Sequence, residues 1–307
     1  MRIRATAAAV TGALALSAFA VSAAQAAPAA PAHRAAVAKV LQSAHAASGM
    51  RAFTAGTGTS GEPYALNVTF SGFKIGKAYK VGTGGHVSIP VSYTMTHGTD
   101  VDITSPDFET DPYLYKGSYA DADNVLFGDA PAKCTATSST VATCKGTIDI
   151  YPAEGDLENA NAGSWGAAAG AIDWNGQLDS SNPDPSKIGV AEKGGLATTL
   201  IQRNSALTAD ASPEPVRKGA TLTVKGKLSR ADWQAHKYVG FSGQSVKLQF
   251  RKKGSNTYTT LKTIKTDSAG NLKTTVKASV DGYYRYSFSG TSTTPAVNAT
   301  GDFVDVK

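Results

Sequence analysis

Carboxylates are the side chains whose number and spacing could do chemistry in this chain. Asp100, Asp102, Asp107, Glu109 and Asp111 form one run, Asp121, Asp123, Asn124 and Asp129 a second, and Glu154, Asp156 and Glu158 a third. Glycoside hydrolysis needs two carboxyls about 5–10 Å apart across a sugar cleft. Calcium needs several oxygens brought together from loops. Asp121, Asp123 and Asp129 are the calcium candidates: the first two are two residues apart and can converge in a loop or at a strand end. The EF-hand pattern fails, since a loop counted from Asp121 lacks Gly at its sixth position and Glu at its twelfth. Asp and Asn also start turns without binding anything. A sugar-cleaving cleft would be lined with aromatics, and this stretch holds only two Trp, Trp165 and Trp174.

Other reaction chemistry finds little material. No G-x-S-x-G nucleophile elbow occurs; Ser242, in Gly240-Phe241-Ser242-Gly243-Gln244, comes nearest, with Gln where Gly belongs. H-E-x-x-H is absent, and His86 and His97 have no clear third ligand for zinc. Gly82-Thr83-Gly84-Gly85 reads as a turn, because the third Gly of a dinucleotide fingerprint is missing and no helical pattern follows. The expectation is a protein that is not an enzyme. Basic residues offer a different chemistry: Arg251, Lys252 and Lys253 sit at a strand end, and Lys247, Lys262, Lys265, Lys273 and Lys277 fall on outward positions nearby. Together they form a candidate face for a polyanion. The aromatics that would stack on bases read as core residues, which argues against specific nucleic acid.

The elements that hold these residues begin with a leader. Residues 1–26 run from Arg2 and Arg4 through an apolar stretch, Ala7 to Val21, to Ala24-Gln25-Ala26, the form of a cleaved signal peptide. Residues 27–49 read as an Ala-rich spacer or pro-segment in which Val37, Val40, Leu41 and Ala44 keep helical spacing. No second apolar run is long enough to span a bilayer, so no membrane anchor is expected. In an exported chain, Cys134 and Cys144, flanking a Ser/Thr-rich turn, read as one structural disulfide stapling a hairpin; C-x-x-C spacing for a redox pair is absent.

From Gly49 onward the pattern is two-residue alternation, as in Leu66/Val68/Phe70, Val87/Ile89/Val91/Tyr93, Val246/Leu248/Phe250 and Tyr284/Tyr286/Phe288. Turn signals at Lys253–Asn256, Asp267–Asn271 and Asp281-Gly282 punctuate it. Leu261 and Ile264 are three apart, so a bulge near Lys262–Thr263 is expected. The fold class is all-β: two tandem sandwich domains, 50–205 and 206–307, after a signal peptide. Residues 50–205 hold 10 Lys+Arg against 17 Asp+Glu and residues 206–307 hold 16 against 7, so a net charge of +6 hides an acidic domain joined to a basic one. The expected core of the second domain is Val224, Leu248, Phe250, Ile264 and Tyr286, with the first inward aromatic after Asp281-Gly282 bonding upstream backbone as in a tyrosine corner.

The run LTADASPEPVRKGATLTV from Leu207 to Val224, with GQSVKLQFRKKG from Gly243 and DGYYRYSF from Asp281, resembles the immunoglobulin-like domains of secreted actinobacterial two-domain proteins. Cys134, Cys144 and Trp165 look like the first domain of the same group, some members of which carry a calcium-binding label. The resemblance implies two immunoglobulin-like sandwiches and secretion, and supplies no ligand. The functional expectation is a secreted, extracellular, non-catalytic binding or structural protein acting on an anionic cell-wall polymer or another secreted protein, without a cofactor. The alternative is a calcium-binding protein with the ion held by acidic loops of the first domain.

Overall fold

The computed structural model describes residues 34–41, 44 and 61–307; the expected signal peptide lies outside them. In the first sandwich, β1 (Tyr64–Ala65), β2 (Val68–Lys74), β3 (Ala78–Val81), β4 (Val87–His97) and β5 (Phe108–Gly117) are followed by β6 (Ala122–Phe127), β7 (Lys133–Ala136), β8 (Val141–Ile150), β9 (Gly163–Asp173) and β10 (Gly189–Arg203). One sheet has the order β2-β4-β8-β7, and the other β10-β9-β5-β6 with β1 and β3 alongside β10. This is the immunoglobulin arrangement, ABED facing GFCC′, with the edge at β10 closed by parallel pairing to β1 and β3.

The second sandwich repeats the architecture. It contains β11 (Ser205–Leu207), β12 (Asp210–Ser212), β13 (Thr221–Asp232), β14 (Lys237–Gly240), β15 (Ser245–Lys252), β16 (Thr259–Lys265), β17 (Asn271–Lys277), β18 (Gly282–Phe288), β19 (Val297–Asn298) and β20 (Asp302–Val304). β13 has β11 and β12 on one side and β14 and β17 on the other, while β16-β15-β18 form the facing sheet with β19 and β20 at its edge. Alternation in β18 puts Tyr284, Tyr286 and Phe288 inside. Val224, Leu248 and Tyr286 are fully buried, while Phe250 and Ile264 are only partly buried against them. The buried hydroxyl bond belongs to the second inward aromatic, not the first: Tyr286 donates to the Val224 carbonyl at 2.9 Å across the sandwich. Its ring lies over Gly226, where a Cβ would come within 2.7 Å of it.

The β15–β16 register slips where Leu248 pairs with Lys262 and Gln249 with Thr260, so the extra residue is Leu261, one position before the expected bulge. Leu261 is thereby turned out to solvent. Cys134 and Cys144 are directly paired across β7 and β8 and bonded to each other, with Cα atoms 4.0 Å apart.

Two features depart from a simple pair of sandwiches. The segment read as spacer or pro-segment contains a helix, seen at residues 34–41 and 44, whose Val37, Leu41 and Ala44 are buried on the outer face of the GFCC′ sheet. They pack on Tyr113, Tyr115, Phe127, Ile172, Trp174 and Val190, and Leu41 settles over Gly170, where a Cβ would lie 3.1 Å from it. That sheet is the middle of three layers.

The sandwiches are also joined by more than the chain. Trp233, just past β13, is 1% exposed and belongs to the first sandwich's core with Val81, Leu157, Trp165 and Ile201. Its Nε1 donates to the Val81 carbonyl at 3.2 Å and its backbone N–H to Asn159 Oδ1 at 3.0 Å. Arg203 donates from Nε to the Ala231 carbonyl at 2.6 Å and lies 3.7 Å from Asp232, and Gln202 donates to the Thr291 carbonyl at 2.9 Å. Trp233→Ala is therefore expected to cost about 3–5 kcal/mol and to split one cooperative transition into two, read by calorimetry alongside urea unfolding.

Candidate functional site

The strongest concentration of exposed chemistry lies on the outer face of the second sandwich's β16-β15-β18 sheet. The alternation that turns Tyr284 and Tyr286 inward turns Tyr283 and Arg285 outward. On β15 it does the same for Lys247, Gln249 and Arg251, and register sets Arg251 beside Tyr283 and Gln249 beside Arg285. The side chains stack in a row. The Arg285 guanidinium carbon sits 3.7 Å from the Tyr258 ring centroid, and Arg251 sits 4.0 Å from Tyr283 and 5.4 Å from Tyr258. Tyr283 and Phe303 are 5.2 Å apart, and Lys253 Nζ is 5.4 Å from Phe303. Arg285 Nε donates to Gln249 Oε1 at 2.9 Å, and Arg251 Nη1 to the Ser255 carbonyl at 2.6 Å, so both guanidinium planes are fixed against rings while the residues stay partly exposed. Such an arrangement offers positive charge and flat apolar surface at low entropic cost.

Of the three basic candidates at the strand end, Arg251 is in the row and Lys253 borders it, 3.5 Å from Asp281. Lys252 lines a shallow depression of about 430 Å³ with Lys218 and Lys307. The wider lysine face divides. Lys247 shares the Arg251 face, whereas Lys273 and Lys277 pair with Lys225 and Thr221 in the opposite sheet, and Lys262 donates to the Thr275 carbonyl at 2.7 Å across the edge. Tyr258, Tyr283 and Phe303 also correct the expectation that the aromatics are committed to the core, and β18's alternation carried that signal.

The calcium candidates are not brought together. Asp121 and Asp123 line a cleft beside the N-terminal helix, while Asp129 lines a neighbouring one that shares Ala38, Val125 and Phe127 with it. There Arg34 Nη2 donates to Asp129 Oδ1 at 2.5 Å and to the Asp149 carbonyl at 3.1 Å, its Nη1 lies 3.6 Å from Asp156, and Tyr151 donates to Asp129 Oδ2 at 2.5 Å. His86, stacked on Tyr151 at 4.5 Å, lies 2.8 Å from Asp149 Oδ1. His86, Asp129 and Asp149 are the one group of three His or acidic ligands within mutual reach among the described residues. Their oxygens are already engaged: the Asp149 carboxylate also accepts from the Asp129 N–H at 3.0 Å and Thr147 Oγ1 at 2.8 Å. His97 lies at the far end of β4 from His86, so the two are not neighbours.

No family model matches the chain, and no curated protein matches it. Among solved structures, the D0-D1 domain of intimin aligns with 77% of this chain and 98% of its own at 16% identity and a TM-score of 0.24. The mouse nectin-like molecule 4 ectodomain, Ig1–Ig3, aligns with 79% of this chain and 65% of its own at 12% identity and a TM-score of 0.24. These likenesses are distant, and the immunoglobulin-like assignment rests on strand order and pairing. No helix among the described residues is long and apolar enough to cross a membrane.

Two outcomes follow from the acidic knot. Burial alone would raise the Asp149 pKa, but hydrogen bonds from Ser88, the Asp129 N–H, Thr147 and His86 hold it below the ordinary carboxylate value. A depressed folded pKa contributes stability above the unfolded value of about 3.9 and loses it as pH falls through the folded value. Asp149→Asn is expected to cost about 1–3 kcal/mol at neutral pH and to flatten the loss of stability below about pH 4, measured by urea unfolding across a pH series. Separately, melting with calcium and with chelator at fixed ionic strength is expected to give midpoints within about 1 °C. A saturable rise that Asp121→Ala and Asp123→Ala abolish would reinstate the ion site.

Proposed function

We propose that this is an extracellular, non-catalytic binding protein whose second sandwich holds an anionic polymer of the cell envelope against its stacked Arg–Tyr face. The observation that carries the reading is the row Arg285, Tyr258, Arg251, Tyr283 and Phe303, flanked by Lys247 and Lys253. Guanidinium forks pair with phosphate or carboxylate oxygens, and the rings between them accept apolar stretches of a polymer backbone. An excess of 16 basic over 7 acidic residues in this domain draws such a ligand in. Export is supported by the leader-like residues 1–26 and by the hairpin disulfide.

The test is co-sedimentation of the purified protein with anionic wall polymer over a salt series. Arg251→Ala and Arg285→Ala are each expected to weaken binding about five- to tenfold and to reduce its salt dependence. Lys273→Ala with Lys277→Ala, on the opposite sheet, is expected to change it little. Equal losses from both faces would mean that net charge alone is responsible and would sink the assignment to this face.

A further inference from the structure

The two ends of the molecule are opposite in charge. At the end of the first sandwich away from the junction, residues 98–107 connect β4 to β5 and residues 174–188 connect β9 to β10. The connections are tied together: the Trp174 N–H donates to the Asp107 carbonyl at 2.9 Å and the Gly176 N–H to Asp107 Oδ2 at 3.1 Å. With the last residue of β9 they bring Asp100, Asp102, Asp107, Asp173, Asp179 and Asp184, against one cation, Lys187. Burial, then the charges of Asp107 and Asp102, push the Asp173 carboxyl up, as crowding of carboxylates at one end requires.

At the far end of the second sandwich, Lys218, Lys252, Lys253 and Lys307 surround the depression of about 430 Å³, and Val280, 38% exposed, stands among them. Asp281 is the one carboxylate in its lining; it accepts from the Val306 N–H at 2.9 Å and pairs with Lys253. Lys307 pairs with Asp305, whereas Lys218 and Lys252 enter no ion pair among the described residues. The signs of both ends are secure against the rest of the chain. Residues 1–60 contain no Asp or Glu, so they bring no carboxylate side chain to the basic end. Arg2, Arg4 and Arg51 are the Lys or Arg side chains outside the described residues, and with Lys187 they number four against the six carboxylates of the acidic end.

We infer that the basic end of one copy docks on the acidic end of a second copy, head to tail. The two ends do not meet within one chain. β9 runs away from the junction, from Gly163 to Asp173, and β13 runs toward it, from Thr221 to Asp232, so each end stands about 35–40 Å from the junction. Among the described residues, every hydrogen bond between the sandwiches is made at that junction, around Trp233, Arg203 and Gln202. The complementary charges are therefore satisfied between copies. Like ends repel, which excludes a two-fold pairing through either one. A head-to-tail contact keeps one acidic and one basic end open on every pair, so the assembly grows as an open chain. Opposite fields orient the encounter, and Val280 adds apolar contact at the centre of the basic end.

The experiment is sedimentation velocity of the full chain at rising protein concentration, in low and in high salt. Average mass is expected to climb with concentration in about 20 mM salt, and association to weaken at least about tenfold in about 300 mM. Asp100→Lys with Asp179→Lys brings the acidic end close to neutrality, and Lys218→Glu with Lys252→Glu does the same at the basic end. All four side chains are exposed, and cooperative melting verifies that each variant is folded. Each variant alone is expected to stay monomeric where the unaltered protein associates. Mixed, the two should form a one-to-one complex and no longer chain, since each supplies the end that the other has lost. An unaltered protein that stays monomeric up to about 100 µM in low salt overturns the inference. So do variants that associate as well alone as the unaltered protein, or a mixture no heavier than its parts. No polymer is present, so these outcomes are separate from those that test the Arg–Tyr face.

Discussion

The first sandwich is organised by a strand that cannot face water on either side. In β9, the run Ala167–Ile172 is buried throughout, with Ala167 packed toward the facing sheet and Ala168 and Ile172 toward the helix. An antiparallel sheet normally keeps one face wet, so an apolar outer face on the GFCC′ sheet requires a third layer. The helix seen at residues 34–41 and 44 supplies it, and small residues in β9 let it approach closely: Leu41 occupies the space that any side chain at Gly170 would contest. Arg34 then ties the helix to Asp129, Asp156 and the Asp149 carbonyl. The two clefts and the acidic knot all follow from laying a narrow helix on a wide aromatic face.

The junction between sandwiches solves a related problem. β13 is long enough to pair with β11, β12, β14 and β17 and still deliver Trp233 into the neighbouring core. A buried indole with its N–H satisfied is a strong anchor, and the polar contacts of Gln202, Arg203 and Asn159 surround it. The acidic and basic halves are therefore held in a fixed relation, and the separation between the Arg–Tyr face and the cleft beside the helix is set by the fold.

Much of this was legible in the residues. Alternation located the strands around Phe70, Ile89, Leu248 and Tyr286, and the Cys134–Cys144 spacing located the hairpin staple. The bulge was misplaced by one residue because sequence shows only that Leu261 and Ile264 are out of phase, whereas the pairing of Leu248 and Gln249 decides which residue is extra. β9 was opaque because burial on both faces removes the two-residue period, and Gly-Ser-Trp-Gly-Ala-Ala-Ala-Gly has little strand propensity of its own. The helical spacing of Val37, Leu41 and Ala44 was visible, but not its partner, since that contact is made across the whole first domain. Asp121, Asp123 and Asp129 do not line one cleft for the same reason: closeness along the chain does not say which cleft beside the helix each carboxylate will reach.

The helix has one more consequence, for the order of events in synthesis. Arg34 finds the Asp149 carbonyl 115 residues further along, and Leu41 rests on β9, which is later still. A segment that is made before the strands it packs on is thus among the last that can be placed. Until β5, β9 and β10 have paired it has no surface to rest on, and until it arrives Tyr113, Tyr115, Phe127 and Trp174 stand uncovered on the outer face. Loop-closure entropy delays such distant contacts, so the nascent chain passes through a stage with its stickiest face bare, and whatever shields that face then is as much a part of making this protein as the strands themselves.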